Sequence, residues 1–172
     1  METLWSPWRM EYLNADKGKD EAGCIFCTYA AAPATEDREH LLLWRGARTF
    51  IIMNLYPYNN GHLMIVPYQH AADLTTLDEE TAGELMTTLQ GCISLLKAVM
   101  NPQGYNIGMN LGTVAGAGIA DHVHMHLVPR WGGDTNFMPV VGNTRVLPEL
   151  LSTTYDKLRA YIDEHWRYSP EG

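Results

Sequence analysis

Only three cysteines occur in the 172 residues, an odd number, which argues against the disulfide framework that staples small secreted domains. Basic residues are also scarce. Twelve Lys and Arg against 20 Asp and Glu leave a net charge of −8, so the chain has no basic stripe for general nucleic-acid binding. A local cluster of histidines, backbone amides and an arginine can still hold an anionic small molecule against that global sign. No apolar run approaches a membrane span, and the start of the chain (Met1, Glu2, Arg9, Glu11) lacks the apolar core of a signal peptide. No contact with a membrane is expected, and the expected location is the cytoplasm. Repeats, low-complexity tracts and linkers are missing too. What remains is an ordinary globular composition, 46% apolar and 19% charged, on a length suited to one domain.

Residues 1–23 form an aromatic arm (Trp5, Trp8, Tyr12) followed by a polar loop, and residues 24–172 read as a single domain. Cys24–Ala32 is expected to be a short helix stopped by Pro33. Glu39–Trp44, Arg48–Asn54 and His62–Pro67 have strand composition, separated by a tight turn at Gly46 and a turn-rich loop at 56–61. Thr76 and Glu79 have the spacing of a capping box, and Leu85, Met86, Leu89, Ile93, Leu96 and Met100 follow at helical spacing. Cys92 lies beside that stripe and reads as a small buried hydrophobe. Asn101-Pro102-Gln103-Gly104 ends the helix. Tyr105–Leu111 is a fourth strand, and a glycine-rich loop at 112–118 leads to a fifth. A last helix is expected from about Leu147 to Glu164, with Pro148 in its first turn. Strand hairpins with a long helix between the third and fourth strands imply an α+β fold, a five-stranded antiparallel sheet with two main helices on one face.

The chemistry concentrates in Asp121-His122-Val123-His124-Met125-His126-Leu127-Val128-Pro129-Arg130. Alternation with period two predicts a strand with three imidazoles on one face and Val123, Met125 and Leu127 on the other. A core needs no such ladder, since histidine is neither a strong strand former nor a common core residue. Two active readings fit it: a metal site, and a site in which one imidazole attacks while its neighbours orient it and hold charge. In a reducing compartment Cys24-Ile25-Phe26-Cys27 reads as a metal or redox pair.

His122-Val123-His124-Met125-His126-Leu127-Val128 resembles the signature of the histidine triad superfamily: three histidines separated by single apolar residues, then two apolar residues. The resemblance extends to Asn60-Gly61-His62, to Val66-Pro67 with His70, to Asn110-Leu111-Gly112 and to Pro129-Arg130, roughly residues 24–130 in order. The segment Trp131–Met138 is similar to that of bacterial dinucleoside polyphosphate phosphorylases. The resemblance implies the same five-stranded sheet, continued across a homodimer, and transfer of a nucleoside monophosphate through the central histidine. His124 would then be the nucleophile, its other ring nitrogen held by a carbonyl of the glycine-rich loop. His126 and His62 would donate to the phosphate, Asn110 would bond an α-phosphate oxygen, and Asn54 the ribose hydroxyls. Gly116 and Gly118 would let the backbone approach the phosphate. Four residues before the first triad histidine, many members carry a Ser or Gln that bonds the leaving-group phosphate; this chain has Gly118 there. In the branch with the N-terminal Cys-x-x-Cys, Cys24 and Cys27 join His70 and His122 around a structural zinc.

These residues leave three functions in play. One is nucleotidyl transfer from a dinucleoside polyphosphate such as diadenosine tetraphosphate, with phosphate as acceptor, or with water as acceptor in a hydrolase of dinucleoside polyphosphates or nucleoside phosphoramidates. Another is a nucleotide sensor with little turnover. The third is a three-histidine metalloenzyme with metal-bound water as nucleophile.

Overall fold

The computed structural model describes residues 23–134 and 149–167. The aromatic arm, Pro148 and most of the segment after Trp131 therefore lie outside the described residues. In order, the elements are helix α1 (Ile25–Ala31), strands β1 (Leu42–Arg45), β2 (Thr49–Met53) and β3 (Leu63–Pro67), helix α2 (Glu79–Met100), strands β4 (Gly104–Met109) and β5 (Met125–Arg130), and helix α3 (Leu151–His165). The strands form one antiparallel sheet in the order β1-β2-β3-β5-β4, with β5 inserted between β3 and β4.

The alternation along the strands sorts side chains into two layers. Ile51, Met53, Leu63, Ile65, Met125 and Leu127 face α2 and α3, where they pack on Leu85, Leu89, Leu95, Leu96, Tyr155 and Leu158. Phe50, Ile52, Met64 and Val66 face the other way and form a smaller cluster with Phe26 of α1. Strands β2 and β3 are thus buried on both faces, which explains their near-continuous apolar runs. The second layer matters for function, because it is the face onto which His124 and His126 project.

Helix α2 starts two residues later than the capping-box spacing predicts. Asp78, not Thr76, is the N-cap, and its carboxylate accepts from the Thr81 amide. The amide lowers the Asp78 carboxyl below its usual value, and Glu79 and Glu80 add negative charge to the first turn. Thr76 instead closes a preceding 3₁₀ turn, its hydroxyl donating to the Asp73 carbonyl. At the other end Asn101 takes the left-handed conformation (φ 47°) and caps the helix. Helix α3 begins at Leu151 rather than Leu147. Cys92 is fully buried, and burial pushes its thiol far above the ordinary value, so it is inert.

Gly61 is required by the turn that leads into the site. Its φ is +72°, and a Cβ there would lie 2.6 Å from Met100 Sδ. The turn it makes delivers His62 into the sheet with its carbonyl bonded to the Asn54 amide at 3.0 Å.

Candidate active site and metal centre

The histidine run is not one continuous strand. Pairing begins only at Met125, because the Val123 amide donates out of the sheet to the Ala71 carbonyl (2.6 Å). His122 and His124 therefore occupy the approach to β5, and His126 sits within it, opposite Met64 on β3 and Gly108 on β4.

His124 is 5% exposed. Its Nδ1 lies 2.9 Å from the His122 carbonyl oxygen, which can only accept, so Nδ1 carries the proton and Nε2 keeps its lone pair. The holding carbonyl thus belongs to the triad's own first member and not to the glycine-rich loop, as the resemblance implied. Burial lowers the His124 pKa, with the carbonyl bond opposing, so the ring is neutral near pH 7. A neutral imidazole with its lone pair at Nε2 is the nucleophilic tautomer.

His126 is oriented by a chain that starts from the backbone. The Tyr58 amide donates to His62 Nδ1 at 3.0 Å, so the His62 proton sits on Nε2. That Nε2–H donates to His126 Nδ1, also at 3.0 Å, and the His126 proton is thereby placed on its own Nε2. The Tyr58 amide, with the Asn54 side-chain amide 3.4 Å from the same nitrogen, thus fixes two tautomers. His62 is 1% exposed, with both ring nitrogens engaged. It stands behind His126 and cannot donate to a phosphate, which corrects the expectation that both rings would do so.

The His124 and His126 rings open on a cleft bounded by α1, β2, β3 and the glycine-rich loop. Asn54, Asn110, Gly116, Gly118, His124 and His126 all line it, so the sequence-predicted residues other than His62 and the cluster come together in one cleft. Its apolar side is made by Ile25, Phe26 and Tyr29 of α1 with Ile52 and Met64 of the sheet. Tyr29 stacks on His40 (centroids 4.2 Å, 16°) at that end. The α1 wall escaped sequence reasoning, which saw the helix only as a carrier of two cysteines. The apolar residues interleaved with them were the available signal.

Cys24, Cys27, His70 and His122 each offer a ligand atom, all within 4.8 Å of one another. His122 Nδ1 lies 3.2 Å from Cys24 Sγ, 3.6 Å from Cys27 Sγ and 3.2 Å from His70 Nδ1. A tetrahedral ion with Zn–S near 2.3 Å and Zn–N near 2.0 Å spaces its ligands about 3.3–3.8 Å apart, so the donor set fits. His122 Nε2 donates to the Pro67 carbonyl at 2.8 Å, which leaves Nδ1 as the lone-pair nitrogen aimed into the cluster. Burial, then the adjacent Cys24, push the Cys27 thiol above its usual value, a cost that a divalent cation reverses by pairing with thiolate. Two sulfurs and two imidazoles form a closed set with no place left for a reacting water. The three triad histidines do not converge on one point: His122 belongs to this cluster, and His124 and His126 to the cleft. That separation argues against the three-histidine metalloenzyme.

A sheet of this topology carrying a buried, carbonyl-held imidazole at the wall of a cleft defines a class of protein, and comparison places the chain in it. The family model for the HIT domain matches residues 37–133, more than half of the 172 residues, and the chain belongs to that family. It is 39% identical over 173 residues to the AP-4-A phosphorylase of Mycobacterium tuberculosis, covering 99% of this chain and 87% of that protein. It is 28% identical over 107 residues to an adenosine 5'-monophosphoramidase of Schizosaccharomyces pombe, covering 62% of this chain and 74% of that one. Among solved structures, a Zn-bound histidine triad family protein from Mycobacterium smegmatis superposes with a TM-score of 0.65 at 26% identity, over 82% of this chain and 94% of that one. The protein is thus an enzyme of the HIT nucleotidyltransferase and hydrolase type. Among the described residues no helix is long and apolar enough to cross a membrane.

Proposed function

We propose that the protein transfers a nucleoside monophosphate from a dinucleoside polyphosphate, of the diadenosine tetraphosphate kind, to inorganic phosphate through a covalent intermediate on His124. The observation that carries this reading is the His124 tautomer, with Nδ1–H on the His122 carbonyl and the Nε2 lone pair at the cleft. Nε2 attacks the α-phosphorus as the bond to the leaving nucleoside polyphosphate breaks. The imidazole becomes positive on forming the N–P bond, and the His122 carbonyl oxygen stabilises that charge. His126 donates its Nε2–H to phosphate oxygens, Asn110 bonds an α-phosphate oxygen, and Asn54 the ribose. Gly116 and Gly118 admit the phosphate chain. Phosphate then attacks the same phosphorus, giving a nucleoside diphosphate and restoring neutral His124. With diadenosine tetraphosphate the products are ATP and ADP.

Two further assignments accompany this reading. Cys24, Cys27, His70 and His122 would hold zinc as a structural ion, tying α1 to the start of β5. The exposed edge strand β4, with Asn106, Ile107 and Gly108 uncovered, suits pairing with a second copy in a homodimer with a continuous sheet. A hydrolase of dinucleoside polyphosphates or nucleoside phosphoramidates, with water as acceptor, is the second reading. It is favoured by Gly118 in place of a leaving-group ligand and by the similarity to a monophosphoramidase. Incubation with diadenosine tetraphosphate with and without phosphate separates the two. ATP and ADP that appear only with phosphate support the phosphorylase; AMP released at the same rate in both refutes it.

A further inference from the structure

Helix α1 does two jobs with alternate residues. Cys24 and Cys27 belong to the four-donor cluster, while Ile25, Phe26 and Tyr29 wall the cleft. Phe26 lies between the two cysteines in sequence and between two histidines in space. It is 1% exposed, and its ring centroid is 5.0 Å from that of His124 and 5.4 Å from that of His122. The far end of α1 is fixed independently: the Arg45 guanidinium donates to the carbonyls of Tyr29, Ala30 and Ala32 and pairs with Asp37. The near end has no side-chain cap at Cys24, so the cluster and the packing of Phe26 hold it. A second connection runs through His122, whose ring is in the cluster and whose carbonyl oxygen holds His124 Nδ1 at 2.9 Å.

We propose that Phe26 is a positioning residue for His124 whose seat is set by the four-donor cluster, so that metal in the cluster and a nucleoside monophosphate in the cleft each tighten the other. Drawing Cys24 and Cys27 to ligand distance presses the intervening ring onto His124 and brings Ile25 and Tyr29 onto the nucleoside. A nucleotide filling the cleft holds that wall in place, and so holds the two sulfurs together. Linkage requires the effect to be equal in both directions.

This inference rests on the nucleotide and zinc readings above, and the experiment keeps the three apart. Zinc affinity of the full chain is measured in chelator-buffered zinc, which fixes the free metal, with no AMP and with saturating AMP. AMP affinity is measured on the zinc-loaded and chelated protein. Each ratio is expected to exceed about fivefold and the two to agree, the lower end of ordinary coupling. In Phe26→Leu, which fills most of the volume and preserves the fold, the ratio is expected to fall below half its native value. Simple loss of stability cannot produce this fall, because an unfolded fraction weakens binding only while the other ligand is absent and so raises the ratio. A native ratio under about fivefold, or a ratio retained in Phe26→Leu, overturns the proposal while both ligands still bind. A protein that binds no AMP overturns the nucleotide reading, and one that binds no zinc overturns the metal reading; either removes this proposal with it.

Discussion

Replacing His62 tests the most specific feature of the site, the chain from the Tyr58 amide through His62 to His126. In the native protein, moving the His62 proton to Nδ1 would break the 3.0 Å bond from the Tyr58 amide and set N–H against N–H there, while the bond to His126 would reverse and move the His126 proton to Nδ1. Leaving that buried amide without an acceptor costs about 1–3 kcal/mol, a preference of roughly tenfold to a hundredfold for the tautomer that places a proton on His126 Nε2. His62→Leu removes the bias but leaves His126 in place. The correctly protonated population then falls only a few-fold, and loss of orientation supplies the rest, so kcat is expected to fall about ten- to a hundredfold with KM little changed. Deleting the donor outright, as in His126→Ala, is expected to cost about 10²–10³. His62→Gln, whose amide both accepts and donates, should recover part of the loss. The assay is turnover of diadenosine tetraphosphate with phosphate, alongside circular dichroism to establish folding. A folded His62→Leu protein with kcat within twofold of native refutes the chain of donors.

Other perturbations probe the scaffold. Arg45→Ala strips three carbonyls at the end of α1 and the nearly buried Asp37 carboxylate of their donor, and is expected to cost about 2–3 kcal/mol in a urea melt. The Arg130 guanidinium, with the Trp131 amide and Asn59, lowers the Asp134 carboxyl from its usual 3.8 to about 2. A folded-state value below the unfolded one stabilises above about pH 4, and the contribution is lost as the pH falls toward 2. Asp134→Asn should therefore lower stability at pH 7 and flatten the acid-unfolding curve between those values. Ile107→Arg places a charge on the β4 edge and is expected to yield a monomer in sedimentation, whereas an unchanged sedimentation coefficient would count against the sheet-continuing dimer.

What was legible in the sequence follows from the range of the interaction that decided it. The period-two pattern of β2, β3 and the histidine run placed His124 and His126 on the face opposite the helices, because burial on a pleated surface is a local signal. The same pattern overran the strand at His122. There the ring and the Val123 amide are claimed by groups 50 or more residues away, the Pro67 and Ala71 carbonyls. Asp78 displaced Thr76 as the cap because a carboxylate two residues on competes better for the helix amides than a hydroxyl. His62 was recognised by its motif, yet its place behind His126 depends on the Tyr58 amide and the Gly61 turn, neither of which composition reveals. Phe26 looked like one apolar residue in a short helix. Its contacts with His122 and His124 span nearly a hundred residues and exist only once the sheet is closed.

The central claim is that the middle imidazole of the triad becomes bonded to phosphorus. The direct measurement is rapid mixing with diadenosine tetraphosphate without phosphate, a neutral quench to spare the acid-labile N–P bond, and peptide mass spectrometry. One adenylyl group on His124, discharged to ADP when phosphate is added, is the predicted result. Turnover with no adduct, an adduct on another residue, or native turnover by His124→Asn would contradict it.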